Sequence, residues 1–215
     1  MTIVAPSILS ADFSHLAQDI ALVEKAGADW LHVDVMDGHF VNNITIGPLI
    51  VSAIRPKTKL FLDVHLMIEN PEKYIEDFAQ AGADLLCVHL ETLKNPHQTL
   101  RDIRALGKKV GLAVNPDKKF SYVEKYLAEI DMVLFMSVFP GFAGQQFIPD
   151  VLSEIKNCRK FISNNNLAVD IEIDGGINRE TVKQAIAAGT NIIVAGSAIF
   201  KATDPAAEVK YYKSL

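Results

Sequence analysis

The chain has 215 residues, 49% of them hydrophobic and 22% charged, which is enough to build one domain around a large core. Its formal net charge of -5 argues against a nucleic-acid or anionic-membrane surface. No apolar run approaches the roughly 20 residues a spanning helix needs.

Taken in order, Ile3 to Leu9 is a short apolar run broken by Pro6. A helical pattern follows from about Ser14 to Ala26, with Leu16, Ile20 and Val23 at helical spacing and Gly27 placed to close it. Met1-Thr2-Ile3-Val4-Ala5-Pro6 lacks the basic region and long apolar segment of a secretory signal. Cys87 and Cys158 are too few for a disulfide scaffold. Together these point to a reduced, cytoplasmic protein.

The next stretch, Leu31-His32-Val33-Asp34-Val35-Met36-Asp37-Gly38, begins as a buried strand. Alternation puts His32, Asp34 and Met36 on one face, where polar groups in a core need partners. Leu60 to Met67 repeats the pattern, with Asp63, His65 and Met67 sharing a face, and Val169 to Gly176 carries Asp174 at its end. Two imidazoles and two carboxylates at strand ends (His32, Asp34, His65, Asp174) make a ligand set for one divalent transition metal. Such N/O ligands suit zinc, iron(II), manganese or cobalt alike. His89 and Glu91, at the end of another strand, read as rim groups or as neighbours of that set. His15, His39 and His97 read as surface residues.

The joins between elements recur. Lys25-Ala26-Gly27-Ala28-Asp29-Trp30 is echoed by Gln80-Ala81-Gly82-Ala83-Asp84-Leu85 and, more loosely, by Ala187-Ala188-Gly189-Thr190-Asn191-Ile192. Ala105-Leu106-Gly107-Lys108 leads into a strand in the same way. Strand candidates fall at about 3–8, 30–36, 60–66, 84–90, 109–114, 131–138, 169–174 and 191–196. Asn70 and Asp204 stand as helix caps before Pro71 and Pro205, Asn178 as a cap for the helix that runs to Gly189, and Pro56 ends a short helical piece. Eight strands alternating with helices predict a single (β/α)8 barrel over residues 1–215. A doubly wound sheet is the alternative, but Pro6-Ser7-Ile8-Leu9-Ser10 has no glycine fingerprint after the first strand.

Glycine-bearing loops follow the last three strands: Phe139 to Gln145, Asp174 to Asn178, and Ala195 to Ala198. The last two precede helical segments, so their amides suit an anion such as a phosphate. These loops contain no lysine or arginine, which leaves amide dipoles to hold it.

On these residues the chain resembles the ribulose-phosphate 3-epimerase family along essentially its whole length. The resemblance is carried by Ala5 to Phe13, His32 to Phe40, Leu62 to Met67, Met136-Ser137 with Pro140-Gly141-Phe142, Asp174 to Asn178 and Ala195 to Phe200. It implies interconversion of D-ribulose 5-phosphate and D-xylulose 5-phosphate by a homo-oligomeric, metal-dependent isomerase. It also implies that His32, Asp34, His65 and Asp174 hold the ion, with Asp34 and Asp174 as the acid/base pair. Ser7 and His65 would contact the sugar, and Met36, Met67 and Met136 would cap it. Gly141, Phe142, Ala143, Gly144, Gly175, Gly176, Gly196 and Ser197 would surround the phosphate. Three positions depart from the family pattern: Asn42 for a proline, Phe139 for a polar residue and Ala143 for a glycine. Competing expectations are a 3-epimerase for a hexulose phosphate and a non-catalytic phosphosugar-binding barrel. A decarboxylase on this architecture would need an Asp-x-Lys-x-x-Asp cluster that Asp63 to Ile68 lacks.

Overall fold

The computed structural model describes residues 2–215 as eight parallel strands in ring order, with helices and turns between them. The strands are β1 Ile3–Pro6, β2 Trp30–Met36, β3 Phe61–Met67, β4 Leu85–His89, β5 Lys109–Val114, β6 Met132–Met136, β7 Asp170–Asp174 and β8 Ile192–Ala195. Neighbouring strands pair from β2 through β8 and on to β1. β1 and β2 complete the ring through one parallel bridge, Ser7 to His32, at the end where the polar groups lie. The architecture is therefore a (β/α)8 barrel.

The helices are α1 Leu16–Ala26, α2 Pro48–Ile54, α3 Ile75–Ala81, α4 Pro96–Ala105, α5 Val151–Asn164, α6 Thr181–Ala188, α7 Ser197–Phe200 and α8 Pro205–Lys213. Gly27, Gly82 and Gly189 close α1, α3 and α6 in the left-handed conformation expected of a C-terminal glycine. Asp204 caps α8 by accepting from Ala207 N. Asn178 accepts from the amides of Glu180 and Thr181, so it caps α6 from outside its first turn.

Three expectations need correction. Helix α1 begins at Leu16, because Asp12 accepts from both the amide and the hydroxyl of Ser14 and holds that segment as a turn. Asn70 does not cap a helix through its side chain. It sits at φ 49° and leads into a 3-10 turn, Pro71–Lys73, before α3. Pro56 lies within a 3-10 turn, Arg55–Lys57, that follows α2. Between β5 and β6 the connection consists of 3-10 segments, Phe120–Tyr122 and Glu124–Glu129.

Two apolar layers hold the barrel. One lies between strands and helices and includes Leu31, Val33, Leu62, Val64, Phe78 and Val182. The other fills the barrel itself with Ala5, Leu85, Cys87, Ala113, Met132, Leu134, Ile192 and Val194. Strand alternation separates the two sets.

Three copies of the recurring join, those ending in Asp29, Asp84 and Asn191, share a physical cause with Asp131 at the opposite end of the barrel from the polar cluster. Asp29, Asp84, Asp131 and Asn191 each precede an even-numbered strand and accept the backbone N–H of Val4, Leu62, Val110 and Ile171, respectively, all at 2.8 Å. Each also takes a basic side chain: Lys213, Arg55, Arg104 and Arg159, respectively. The join is a clamp that ties alternate strand starts to the helical layer.

Candidate active site

Strand register assembles the polar cluster. In β2–β3 pairing, His32 lies beside Asp63 and Asp34 beside His65, with all four side chains directed into the barrel. Asp34 Oδ1 lies 3.3 Å from His32 Nε2 and 3.4 Å from His65 Nδ1. Asp174 reaches the same point from β7. One ligand atom from each of His32, Asp34, His65 and Asp174 lies within 4.8 Å of the others, close enough for a common centre.

These donors fit a metal ion. His32 Nε2 and His65 Nδ1 are buried and have no hydrogen-bond partner, an expensive arrangement for two imidazoles unless their lone pairs are used. The opposite ring nitrogens are engaged. His32 Nδ1 is 2.5 Å from Asp63 Oδ2, and His65 Nε2 is 2.8 Å from His89 Nε2. Asp34 divides its oxygens in the same manner: Oδ2 accepts from the Ser7 hydroxyl at 2.5 Å, which leaves Oδ1 facing the imidazoles.

Electrostatics separate the two carboxylates. Burial works to raise the Asp34 pKa, but His32 and His65 outweigh it and hold Asp34 well below the usual carboxylate range. Burial and the negative charge of Asp34 push Asp174 up to about 7. Burial lowers His65 to about 4. For His32 burial acts in the same sense but is overcome by Asp34 and Asp63, so its pKa is raised. A pair of carboxyl groups driven apart in this way can start with one ionised and the other protonated near neutral pH.

Above the cluster opens a cavity of about 360 Å³. Ser7, Asp34 and Asp174 lie in its wall together with Met36, Met67 and Met136. Gly141, Phe142, Ala143, Gly144, Gly175, Gly176, Gly196 and Ser197 line it as well. His32 and His65 are fully buried and are not part of the wall. Among the described residues, no lysine, arginine or histidine lines the cavity. His15, His39 and His97 are exposed and do not line it.

The glycine loops have demanding backbones. Gly175 has φ 118° and Gly176 φ 61°, and a Cβ on Gly176 would lie 2.6 Å from Phe147 N. Ser137 pins the turn by donating its hydroxyl to the carbonyls of Asp174 and Gly175. Of the three departures, Ala143 has no positive φ, whereas Gly141 and Gly144 do, so its Cβ imposes no backbone strain. Asn42 and Phe139 are exposed. The neighbouring Asn43 donates to Gly141 O at 2.8 Å, joining the loop after β2 to the loop after β6.

Three buried groups complete the cluster beyond the expected set. Asp63 and Glu172 lie one layer deeper on β3 and β7, and Glu172 Oε1 is 3.7 Å from His32 Nδ1. Burial and Asp63 push the Glu172 carboxyl well up, which favours its neutral form. His89, fully buried at the end of β4, stacks on His65 with ring centroids 5.0 Å apart. The signal for Asp63 and Glu172 is strand alternation, since each stands two residues before a cluster member on the same face.

Comparisons with known proteins agree with this picture. Residues 3–200 match the model of the ribulose-phosphate 3 epimerase family. The chain is 57% identical over 202 residues to ribulose-phosphate 3-epimerase of Synechocystis sp., covering 93% of this chain and 88% of that protein. It is 52% identical over 202 residues to ribulose-phosphate 3-epimerase of Bacillus subtilis, covering 94% and 93%. In fold it is similar to 3-hexulose-6-phosphate synthase of Salmonella typhimurium, with a TM-score of 0.74 over 100% of this chain and 97% of that one. Sequence identity there is 20%. No helix among the described residues is long and apolar enough to cross a membrane. The chain belongs to the ribulose-phosphate 3 epimerase family and is an isomerase of the epimerase type.

Proposed function

We propose that the protein interconverts D-ribulose 5-phosphate and D-xylulose 5-phosphate by moving protons at C3 between two carboxylates. The observation that carries this reading is the pair Asp34 and Asp174, which reach one cavity from different strands. Asp34 begins ionised and takes the C3 proton, while protonated Asp174 delivers one to the other face. In the reverse direction the two exchange roles.

His32, His65, Asp34 and Asp174 would hold one divalent ion. When bound, it would supply Lewis-acid stabilisation of the negative charge that develops when the C3 proton leaves, the enediolate stage. Ser7 orients Asp34 through Oδ2, so the oxygen that handles the proton differs from the one that faces the imidazoles. Met36, Met67 and Met136 surround the sugar with polarizable groups that donate no proton and keep water from quenching the charge. The phosphate is received by the loops after β6, β7 and β8, where the first amides of α7 lack intrahelical acceptors. The enzyme works as a homo-oligomer in the cytoplasm on a small-molecule substrate, with no nucleic-acid or membrane partner.

The test is turnover of D-ribulose 5-phosphate by the purified protein before and after treatment with a strong chelator. Conversion to D-xylulose 5-phosphate that is lost on chelation and restored by zinc, manganese, cobalt or iron(II) is the expected result. Activity indifferent to chelation would remove the ion from the account. Faster turnover of a hexulose 6-phosphate would replace the substrate, and no turnover of either sugar would leave a binding barrel.

A further inference from the structure

We propose that His89, backed by Glu91, is a positioning residue that fixes His65 in the one tautomer able to offer Nδ1 to an ion. The inference rests on the reading of His32, Asp34, His65 and Asp174 as a metal site, and it adds a residue outside that set.

His89 Nε2 and His65 Nε2 are 2.8 Å apart, and both rings are fully buried. Two facing ring nitrogens share one hydrogen, so one ring donates and the other accepts. If His89 donates, His65 carries its own hydrogen on Nδ1, aimed at Asp34 Oδ1 3.4 Å away, and no lone pair remains for an ion. In that arrangement the bare Nδ1 of His89 also faces Glu91 Oε2 at 3.7 Å, lone pair against carboxylate. If His65 donates instead, its Nδ1 is bare and His89 carries its hydrogen on Nδ1, toward Glu91. His89 Nδ1 has no hydrogen-bond partner of its own, and the carboxylate that draws the hydrogen the other way, Asp34 Oδ1, is shared between His65 Nδ1 at 3.4 Å and His32 Nε2 at 3.3 Å. Glu91 therefore selects the hydrogen on His89, and His89 selects the one on His65.

The ring is held in place to do this. It packs between His65 and Phe40, with centroids 5.0 and 4.8 Å away. It needs no contact with substrate, since it does not line the cavity. His32 is served in the mirror sense: its Nδ1 is bound by Asp63, so Nε2 is the nitrogen left free. With an ion bound, the two imidazoles would thus be held in opposite tautomers by different partners.

The experiment uses the full chain labelled with nitrogen-15 at histidine. Long-range proton–nitrogen correlations are recorded without metal and with zinc, and zinc affinity is measured by chelator competition. The expected result is hydrogen on His65 Nε2 in both states of the wild-type protein. His89→Phe keeps the ring stack but removes the acceptor, and should weaken zinc binding roughly 10- to 100-fold. His89→Gln places a carbonyl near the lost Nε2 and should stay within about threefold of wild type. Hydrogen on His65 Nδ1, or a His89→Phe protein that binds zinc as tightly as wild type, would overturn the proposal. The wild-type spectrum decides the matter even if a variant fails to fold. A wild-type protein that binds no zinc while showing hydrogen on His65 Nε2 would overturn the metal reading but uphold the tautomer assignment.

Discussion

At Asp34 the two carboxylate oxygens have different neighbours, Ser7 on one side and two imidazoles on the other. On the proposed mechanism that division would let one side chain serve an ion and a proton at once, since coordination through a single oxygen would leave the other basic. Burial and repulsion from Asp34 push the Asp174 carboxyl the other way, up to about 7, as the proposed division of roles requires. Replacing Asp34 or Asp174 by Asn should therefore cut turnover by at least about 10²-fold, the scale of acid/base catalysis. Steady-state rates on D-ribulose 5-phosphate would check this, and near-normal turnover in either variant would remove that residue from the proton path. The four members of the polar cluster were legible in the sequence because alternation on a buried strand exposes a His or Asp as out of place. Asp63, Glu172 and His89 were harder to read. Their significance comes from distances across strands, 2.5 Å for Asp63 to His32 and 2.8 Å for His89 to His65, which no single stretch encodes.

Among elements, the loops after the strands shape the mouth of the cavity. Asp37 accepts the amides of His39 and Phe40 on one oxygen and the amide of Glu69 on the other, which links the loop after β2 to the end of β3. Partial burial would raise its pKa, but these three amides, Glu69 first among them, hold it below its ordinary value. A depressed carboxylate contributes stability above its unfolded pKa and loses it as pH falls through the folded value. Asp37→Ala should thus cost about 1–3 kcal/mol at pH 7 and progressively less below about pH 4. Urea unfolding at pH 7 and pH 3 would measure the difference, and an equal cost at both would refute the assignment. Strand positions and glycine helix stops were readable because each rests on a local rule. Asn70 was not, because a left-handed residue opening a 3-10 turn carries the same Asn-Pro signature as a helix cap. The 3-10 segments between β5 and β6 likewise depend on packing, with Phe120, Tyr126 and Leu127 buried.

For the whole molecule, closure depends on the two ends of the chain meeting. Lys213, at the end of α8, donates to Asp29, which in turn holds Val4 of β1. Val209 and Tyr212 bury the same helix against the barrel. The Tyr212 hydroxyl is buried without a hydrogen-bond partner, so its ring supplies the packing and its oxygen only a desolvation cost. Tyr212→Phe should leave the barrel as stable or raise stability by up to about 1 kcal/mol, roughly 2–4 °C in midpoint. A clear fall in thermal midpoint would show that the hydroxyl has a partner in solution. The repeated join was visible as a pattern, and the fold class followed from it. That three of its copies act as clamps, with Asp131 as a fourth, required the register between strands.

The proposal that two carboxylates from separate strands work on opposite faces of one sugar makes a statement about where hydrogen comes from, and a solvent-label experiment reads it directly. In D₂O, D-xylulose 5-phosphate formed at early times should carry deuterium at C3, while recovered D-ribulose 5-phosphate stays almost unlabelled. Label entering recovered substrate faster than product forms would mean that one group serves both faces, and the two-carboxylate account would fail.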